Sequence, residues 1–188
     1  MKKFSFLIVI LLTVFSVNAQ DVVKFAPLDG SPADIAYFPA KSSVRFKKGD
    51  TNSPSIKVTY SRPSVKGRNI FGELVPFGQV WRVGANENTE IKFYKSATIN
   101  GVAVPAGTYS LFAIPEKDKW TIIINKDIDS WGAYAYDESK DLVKVTVPVK
   151  SVSTVIEALS IAFTTQGSVT NLVIGWDKTT VEVPITIK

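Results

Sequence analysis

The amino-acid sequence predicts an all-β protein, with a single-domain antiparallel β-sandwich as the favoured architecture and a β-barrel as the alternative. From about residue 55 onward, short runs of β-branched and aromatic residues alternate with turn residues, which is typical of strands. The pair Asn100-Gly101 lies between two such runs and is a strong signal for a tight hairpin. Hydrophobic residues make up 45% of the chain and Cys is absent, so burial of apolar surface alone must stabilise the fold.

The first 19 residues have the three parts of a cleavable secretory signal. Lysines at positions 2 and 3 supply positive charge, an apolar run extends from Phe6 to Phe15, and small residues precede a cleavage site between Ala19 and Gln20. The run is shorter than the roughly 20 residues of a membrane-spanning helix, and no Cys is available for lipid attachment. We therefore expect a secreted or periplasmic protein with no membrane span in the mature chain.

Residues 20–48 are rich in Pro and small residues, and we expect an extended leader that packs along a β-domain of residues 49–188. No internal repeat or low-complexity linker divides this domain. Strands in this number are expected to bury their apolar faces between two sheets or inside a barrel. The predicted strands comprise residues 55–60, 79–83, 90–94, 107–114, 120–125, 142–147, 155–163, 171–176 and 180–187, with a hairpin of 97–99 and 102–104.

The residue types that the chain lacks narrow its chemistry. It contains no His and no Cys, which excludes Ser-His-Asp triads, Cys-His dyads and imidazole-ligated metal sites. The motifs of serine nucleophiles and of phosphate-binding loops are absent as well. The net charge of +5 includes two lysines of the signal, and the remaining excess is spread along the chain, so no nucleic-acid partner is expected. Carboxylate, Lys, Tyr or oxygen-ligated metal chemistry remains.

A long connection between residues 60 and 87 concentrates glycines, aromatic residues and charges, and such connections often carry binding sites. Its cations can attract an anion, and its tryptophan can pack against the face of a sugar. The candidate binding residues are Tyr60, Arg62, Lys66, Arg68, Trp81, Arg82, Asn86 and Glu87, to which Trp131 is added from a later segment.

A structural role for the same residues is the favoured alternative. The glycines would shape turns, Trp81 would fill the core, and Arg82 would pair with Glu87 or Glu90. If residues 79–83 form a strand, Trp81 and Arg82 point to opposite faces and cannot both line one pocket without a bulge.

A second candidate segment begins at Asn125. Together with Asp127 and Asp129, this residue has the spacing of a calcium loop, but Ser130 replaces the required glycine and Tyr136 stands where a bidentate Glu is needed. The EF-hand interpretation therefore fails. A looser calcium site and a solvated loop are left open, and no metal or other cofactor is predicted.

Several motifs along the mature chain form a combination that is specific to one family. They include Tyr60-Ser-Arg-Pro, Ile70-Phe-Gly-Glu-Leu-Val, Val80-Trp-Arg-Val-Gly-Ala-Asn-Glu, Pro105-Ala-Gly-Thr-Tyr-Ser-Leu-Phe and Trp131-Gly-Ala-Tyr. With these motifs the chain resembles the secreted bacterial family catalogued as domain of unknown function 2911. The resemblance implies an exported β-rich domain, common in Bacteroidetes-type bacteria, with no activity, cofactor or catalytic residue to carry over.

The favoured function is a non-enzymatic binding or structural module of the cell envelope, with a glycan or a small anion as its ligand. The alternative is an enzyme that uses carboxylates, with or without calcium, to act on glycans, since two suitably spaced acids suffice for glycoside hydrolysis. Convergence of Arg62, Arg68, Arg82 and Glu87 in an open pocket would favour a site. Their pairing inside the core would favour a scaffold.

Overall fold

The computed structural model describes residues 23–42 and 53–188, and almost all regular structure in them is β. The predicted signal at residues 1–19 and the ends of the predicted leader lie outside the described residues. None of the helical segments in this described part has the length and hydrophobicity of a transmembrane span. The strands there are β1 (Ala33–Phe38), β2 (Ile56–Ser61), β3 (Thr89–Phe93), β4 (Ala97–Ile99), β5 (Val102–Val104), β6 (Gly107–Pro115), β7 (Lys119–Asn125), β8 (Asp141–Gln166) and β9 (Val169–Ile187), with a 3-10 turn at Glu138–Lys140.

The strands pair antiparallel in the order β1-β2-β3-β6-β7-β8-β9-β4-β5. Because β1 and β5 are the two edges, the sheet does not close into a barrel. The long strand β8 belongs to both halves: it pairs with β7 as far as Pro148 and with β9 from Val149 onward. Register shifts between Ser151 and Ser160 interrupt the second pairing, and irregularities of this kind bend a strand.

The second part of β8 lies across β1 and β2, so that the sheet folds into two layers around one core. The backbone N–H of Ile161 donates to the hydroxyl of Tyr60 at 3.0 Å. The rings of Phe38 in β1 and Phe163 in β8 lie 5.8 Å apart. These contacts confirm the predicted all-β, sandwich-like fold.

Four aromatic side chains join the layers at the centre of the core, and we call them the aromatic cluster. Trp120 comes from β7, Trp176 from β9, and Phe71 and Trp81 from the connection between β2 and β3. The rings of Trp81 and Trp176 are stacked with centroids 6.0 Å apart, and Trp81 meets Trp120 edge-on at 5.7 Å. Offset stacking and edge contacts are the favoured geometries of aromatic pairs.

Most strand predictions are confirmed, including the hairpin of β4 and β5. The segments predicted at 142–147 and 155–163 are parts of the single strand β8, and those at 171–176 and 180–187 are parts of β9. The strand β1 lies within the predicted leader and was not anticipated. Pro32 and Pro39 flank it, and prolines next to an edge strand remove no ladder hydrogen bond.

The predicted strand at residues 79–83 is wrong. Of these residues Trp81 alone pairs, through a bridge to Ala113 of β6. Val83 has a φ of 53°, a left-handed conformation that β-branched residues rarely adopt and that turns the chain. The hydroxyl of Thr89 donates to the Val83 carbonyl at 2.8 Å and holds this turn. Strand alternation therefore does not apply, and Trp81 and Arg82 line one cavity against expectation.

Candidate functional site

A groove of about 560 Å³ lies at the β1–β2–β3 end of the sheet, and we call it the Trp131 groove. Residues of the three strands form its floor, with Ala33 paired to Ser61 and Thr59 paired to Glu90. Residues 128–131, which follow β7, form the opposite wall. The groove thus lies between β1, β2 and β3, at one edge of the sheet, and the loop that follows β7.

Hydrogen bonds fix this wall to the connection that precedes β3. The side chain of Asn88 links the connection to the wall. Its Oδ1 accepts from the Ser130 N–H at 3.0 Å, and its Nδ2 donates to Ser110 Oγ of β6 at 2.5 Å. The backbone N–H of Asn88 donates to the Ser130 carbonyl at 3.0 Å, and Glu87 and Trp131 form an antiparallel bridge. The groove is therefore largely preformed, which lowers the entropic cost of ordering it around a ligand.

Asn125 organises the start of the same wall. It is fully buried, its Oδ1 accepts from the Asp127 N–H at 2.8 Å, and its Nδ2 donates to the Asp137 carbonyl at 2.9 Å and to Asp141 Oδ1 at 2.7 Å. These bonds occupy the amide that a calcium loop would present to the ion. In residues 23–42 and 53–188, no group of three or more His, Cys, Asp or Glu side chains is arranged to hold a metal.

Acidic and aromatic side chains give the Trp131 groove its character. Trp131 is 60% exposed, and Glu87 and Asp129 are exposed beside it. Glu90 is half-buried, and its Oε1 lies 3.9 Å from Lys57 Nζ. The groove therefore places an apolar ring next to several hydrogen-bond acceptors, and the charge of its lining is negative.

Three of the nine candidate residues, Tyr60, Glu87 and Trp131, lie at the Trp131 groove. Tyr60 is 5% exposed and its ring belongs to the core, with its hydroxyl bonded to Ile161. Burial is the main cause that raises the pKa of Tyr60 above its usual value. Its phenol therefore positions β2, and Glu87 and Trp131 present the surface that a ligand can touch.

Arg62 crosslinks distant segments of the chain. Its Nη1 donates to Asp34 Oδ2 at 2.8 Å, its Nε to the Leu159 carbonyl at 2.9 Å and its Nη2 to Ser160 Oγ at 2.9 Å. Since all three guanidinium nitrogens have protein partners, this arginine ties β1 to β8.

Lys66 and Asn86 shape the backbone, with φ angles of 48° and 59°. The N–H of Lys66 donates to Glu157 Oε1 at 2.9 Å, while the Lys66 side chain is exposed. The carbonyl of Asn86 accepts from the Gly132 N–H at 3.0 Å. Through this bond Asn86 helps to hold the wall of the Trp131 groove without lining it.

The remaining candidates, Arg68, Trp81 and Arg82, meet at a second cavity of about 230 Å³, which we call the Arg82 recess. Trp81 is 7% exposed and belongs to the aromatic cluster, as its structural alternative predicted. Arg62, Arg68, Arg82 and Glu87 therefore do not converge in one pocket.

Arg82 does not form the ion pair expected of it. No carboxylate of the described residues lies within 4.0 Å of its guanidinium, so the pairing with Glu87 or Glu90 is absent. Glu90 pairs with Lys57 instead.

Sequence reasoning missed Asn88 and Asp129 as parts of the groove. The sequence offers Asp129 through its calcium-loop spacing and as one acid of a carboxylate pair with Asp127, and it gives no reason to single out Asn88. Their roles depend on contacts such as that between Asn88 and Ser130, which are 42 positions apart. A single sequence carries no local signal for such a contact.

Residues 41–185 match a family model described as "Protein of unknown function (DUF2911)". The chain belongs to this family. The DUF2911 match covers more than three-quarters of the 188 residues and confirms the resemblance seen in the motifs. It includes the lining of the Trp131 groove apart from Ala33. Comparison with curated proteins and with solved structures finds no match.

Proposed function

We propose that this DUF2911 protein is an exported, non-enzymatic module that binds a glycan in the Trp131 groove. The observation that carries the proposal is Trp131 itself, which is 60% exposed in a groove of about 560 Å³. The other three tryptophans of the chain are buried in the aromatic cluster. A large aromatic ring that remains in water on a preformed surface is typical of a ligand contact.

The chemistry of the groove suits a neutral sugar. The apolar face of a sugar ring packs against an indole ring, while the hydroxyls at its rim donate hydrogen bonds to carboxylates. Trp131 supplies the indole, and Glu87 and Asp129 supply the acceptors. The same carboxylates repel anions, which disfavours an anionic glycan in this groove.

The signal-like N-terminus supports export, and export supports a ligand of the cell envelope or its surroundings. The chain has no Cys, so its fold does not depend on the redox state of the compartment.

The test is a calorimetric titration of the mature chain, beginning at Gln20, with a panel of neutral oligosaccharides. We expect Trp131→Ala to weaken binding by at least about tenfold, or about 1.4 kcal/mol, the loss typical of an aromatic contact residue. Tyr134→Ala is the matched control, because Tyr134 is 85% exposed in the same segment and does not line the groove. It should bind within about twofold of wild type. Failure of every oligosaccharide to bind, or equal losses in both variants, would contradict the proposal.

An enzyme that acts on glycans is the second candidate, because Glu87, Glu90 and Asp129 line the same groove. Chromatography of the oligosaccharides after incubation, with calcium and with a chelator, separates the two functions. Shortened products that disappear in Glu87→Gln or Asp129→Asn would establish an enzyme. Recovery of intact oligosaccharide together with measurable binding would support the module.

A further inference from the structure

The Arg82 recess lies between the connection that follows β2 and Trp176 of β9. It shares no lining residue with the Trp131 groove. Arg68 and Arg82 contribute two positive charges to its lining, and no carboxylate contributes to it. With a volume of about 230 Å³, it suits a small ligand.

Arg82 is a half-buried cation that has no hydrogen-bond or ion-pair partner among the described residues. Its Nε atom is buried and makes no hydrogen bond within the described residues. As stated above, no carboxylate in that part of the chain pairs with it. Arginines removed from water are normally paired, because a buried donor without an acceptor destabilises the fold.

A second unpaired donor belongs to the wall of the recess. Trp176 is 1% exposed, and its indole Nε1 is buried without a hydrogen-bond partner in the described part of the chain. The stacked Trp81 differs, because its Nε1 donates to the Gly84 carbonyl at 3.3 Å. Arg82 and Trp176, on separate segments, thus each have a buried N–H without an acceptor in the described residues, and both residues contribute to the lining of one cavity.

We infer that the Arg82 recess binds a small oxyanion, either a carboxylate or a phosphate group. A guanidinium binds such groups through parallel N–H donors, and a second cation nearby strengthens the attraction. Arg68 supplies that cation, with its Nε and Nη2 already donating to the carbonyls of Val65 and Ser64. This binding is independent of the glycan proposed for the Trp131 groove.

The positions of Arg68 and Trp176 indicate on which side of Arg82 the anion lies. Arg82 also lines a smaller cavity of about 150 Å³. Arg82 Nη1 lies next to Gly132, whose neighbour Ala133 lines this smaller cavity. Arg68 and Trp176 line the Arg82 recess and not the smaller cavity, so the second cation and the second unpaired donor favour the recess.

The test is a calorimetric titration of the mature chain with inorganic phosphate and with acetate, against chloride at constant ionic strength. At least one of the two oxyanions should bind more tightly than chloride, and the tighter one identifies the class. Arg82→Met should weaken that binding by at least about tenfold, as expected for loss of a charged hydrogen-bond donor. Lys66→Met is the control, because Lys66 is an exposed cation of the same connection and does not line the recess. This variant should bind the oxyanion with an affinity within about twofold of that of wild type.

Stability measurements separate a binding site from a scaffold. Because no residue in the described part of the chain pairs with Arg82, ligand-free Arg82→Met should unfold at the same urea concentration as wild type or at a higher one. Arg82→Lys keeps the charge and lacks the Nε donor, so it should bind with intermediate affinity. The inference is overturned if neither oxyanion binds better than chloride, if Lys66→Met loses as much affinity as Arg82→Met, or if both ligand-free Arg82 variants are destabilised.

Discussion

Separate replacement of Trp81 and Trp131 by Ala tests whether one tryptophan belongs to the core and the other to the groove. Trp81 is 7% exposed, and burial of roughly 200 Å² of indole at about 25 cal/mol/Å² corresponds to about 5 kcal/mol. Residual compactness of the unfolded chain lowers this by about 10–40%, and loss of the aromatic contacts adds about 1 kcal/mol. We expect Trp81→Ala to lose about 4 kcal/mol, within the usual range for such substitutions.

Trp131 is 60% exposed, so about two-fifths of the same area is buried and the same reasoning gives a loss of about 1.5 kcal/mol for Trp131→Ala. Urea denaturation followed by far-ultraviolet circular dichroism is the assay, because its signal does not depend on the tryptophan removed. The comparison requires that the slope of unfolding free energy against urea concentration is the same in wild type and both variants. Equal losses in the two variants, or a greater loss for Trp131→Ala, would refute the assignment.

Two further predictions concern the arginine crosslink and two tyrosines. Arg62→Met should lower the free energy of unfolding by about 2 kcal/mol in urea denaturation, because the buried Leu159 carbonyl loses its donor. The ion pair with Asp34 is partly exposed and adds little to this loss. A loss below about 0.5 kcal/mol would contradict the crosslink. Burial raises the pKa of Tyr60 and of Tyr136, and the hydrogen bond from Tyr136 to Asp141 raises the latter further. A pKa raised by folding stabilises the protein fully below the unfolded value of about 10, and that stability is lost as pH rises above it. Urea midpoints should therefore fall above about pH 10, less steeply in Tyr136→Phe, and an unchanged midpoint up to about pH 11.5 would count against the prediction.

Local patterns predicted the strands whose pairing partners lie nearby and failed where distant contacts decide. The hairpin of β4 and β5 follows from Asn100-Gly101, a pair that adopts positive φ at both positions. The predicted strands 171–176 and 180–187 leave out residues 177–179, yet β9 continues through Asp177 at a φ of 54°. Residues 79–83 have the composition of a strand, but the left-handed Val83 ends the pairing. Such a conformation depends on tertiary contacts such as the bond from Thr89.

The sequence predicted some of the residues of each cavity but could not show which residues belong to the Trp131 groove and which to the Arg82 recess. Glu87 and Trp131 were both candidates, and their bridge across two connections is a product of the folded sheet. Arg62 and Arg82 look alike in sequence, since each is an arginine beside strand-like residues. The fold gives Arg62 three acceptors, whereas Arg82 Nε has none among residues 23–42 and 53–188. The acceptors of Arg62 come from β1 and β8, far from it along the chain, so no local signal distinguishes the two arginines.

The place of β9 in the sheet has a consequence for how the chain folds. β4 pairs with the C-terminal end of β9, with Ala97 opposite Ile187 and Ile99 opposite Ile185. Ala97 and Ile99 are at most 1% exposed in the folded protein. The end of β9 with which they pair is synthesised roughly 90 residues later, which takes several seconds at about 5–20 residues per second. Pairing between such distant segments is also slow. The sheet therefore stays incomplete until β9 is available, and β4 is among the strands that complete their pairing late.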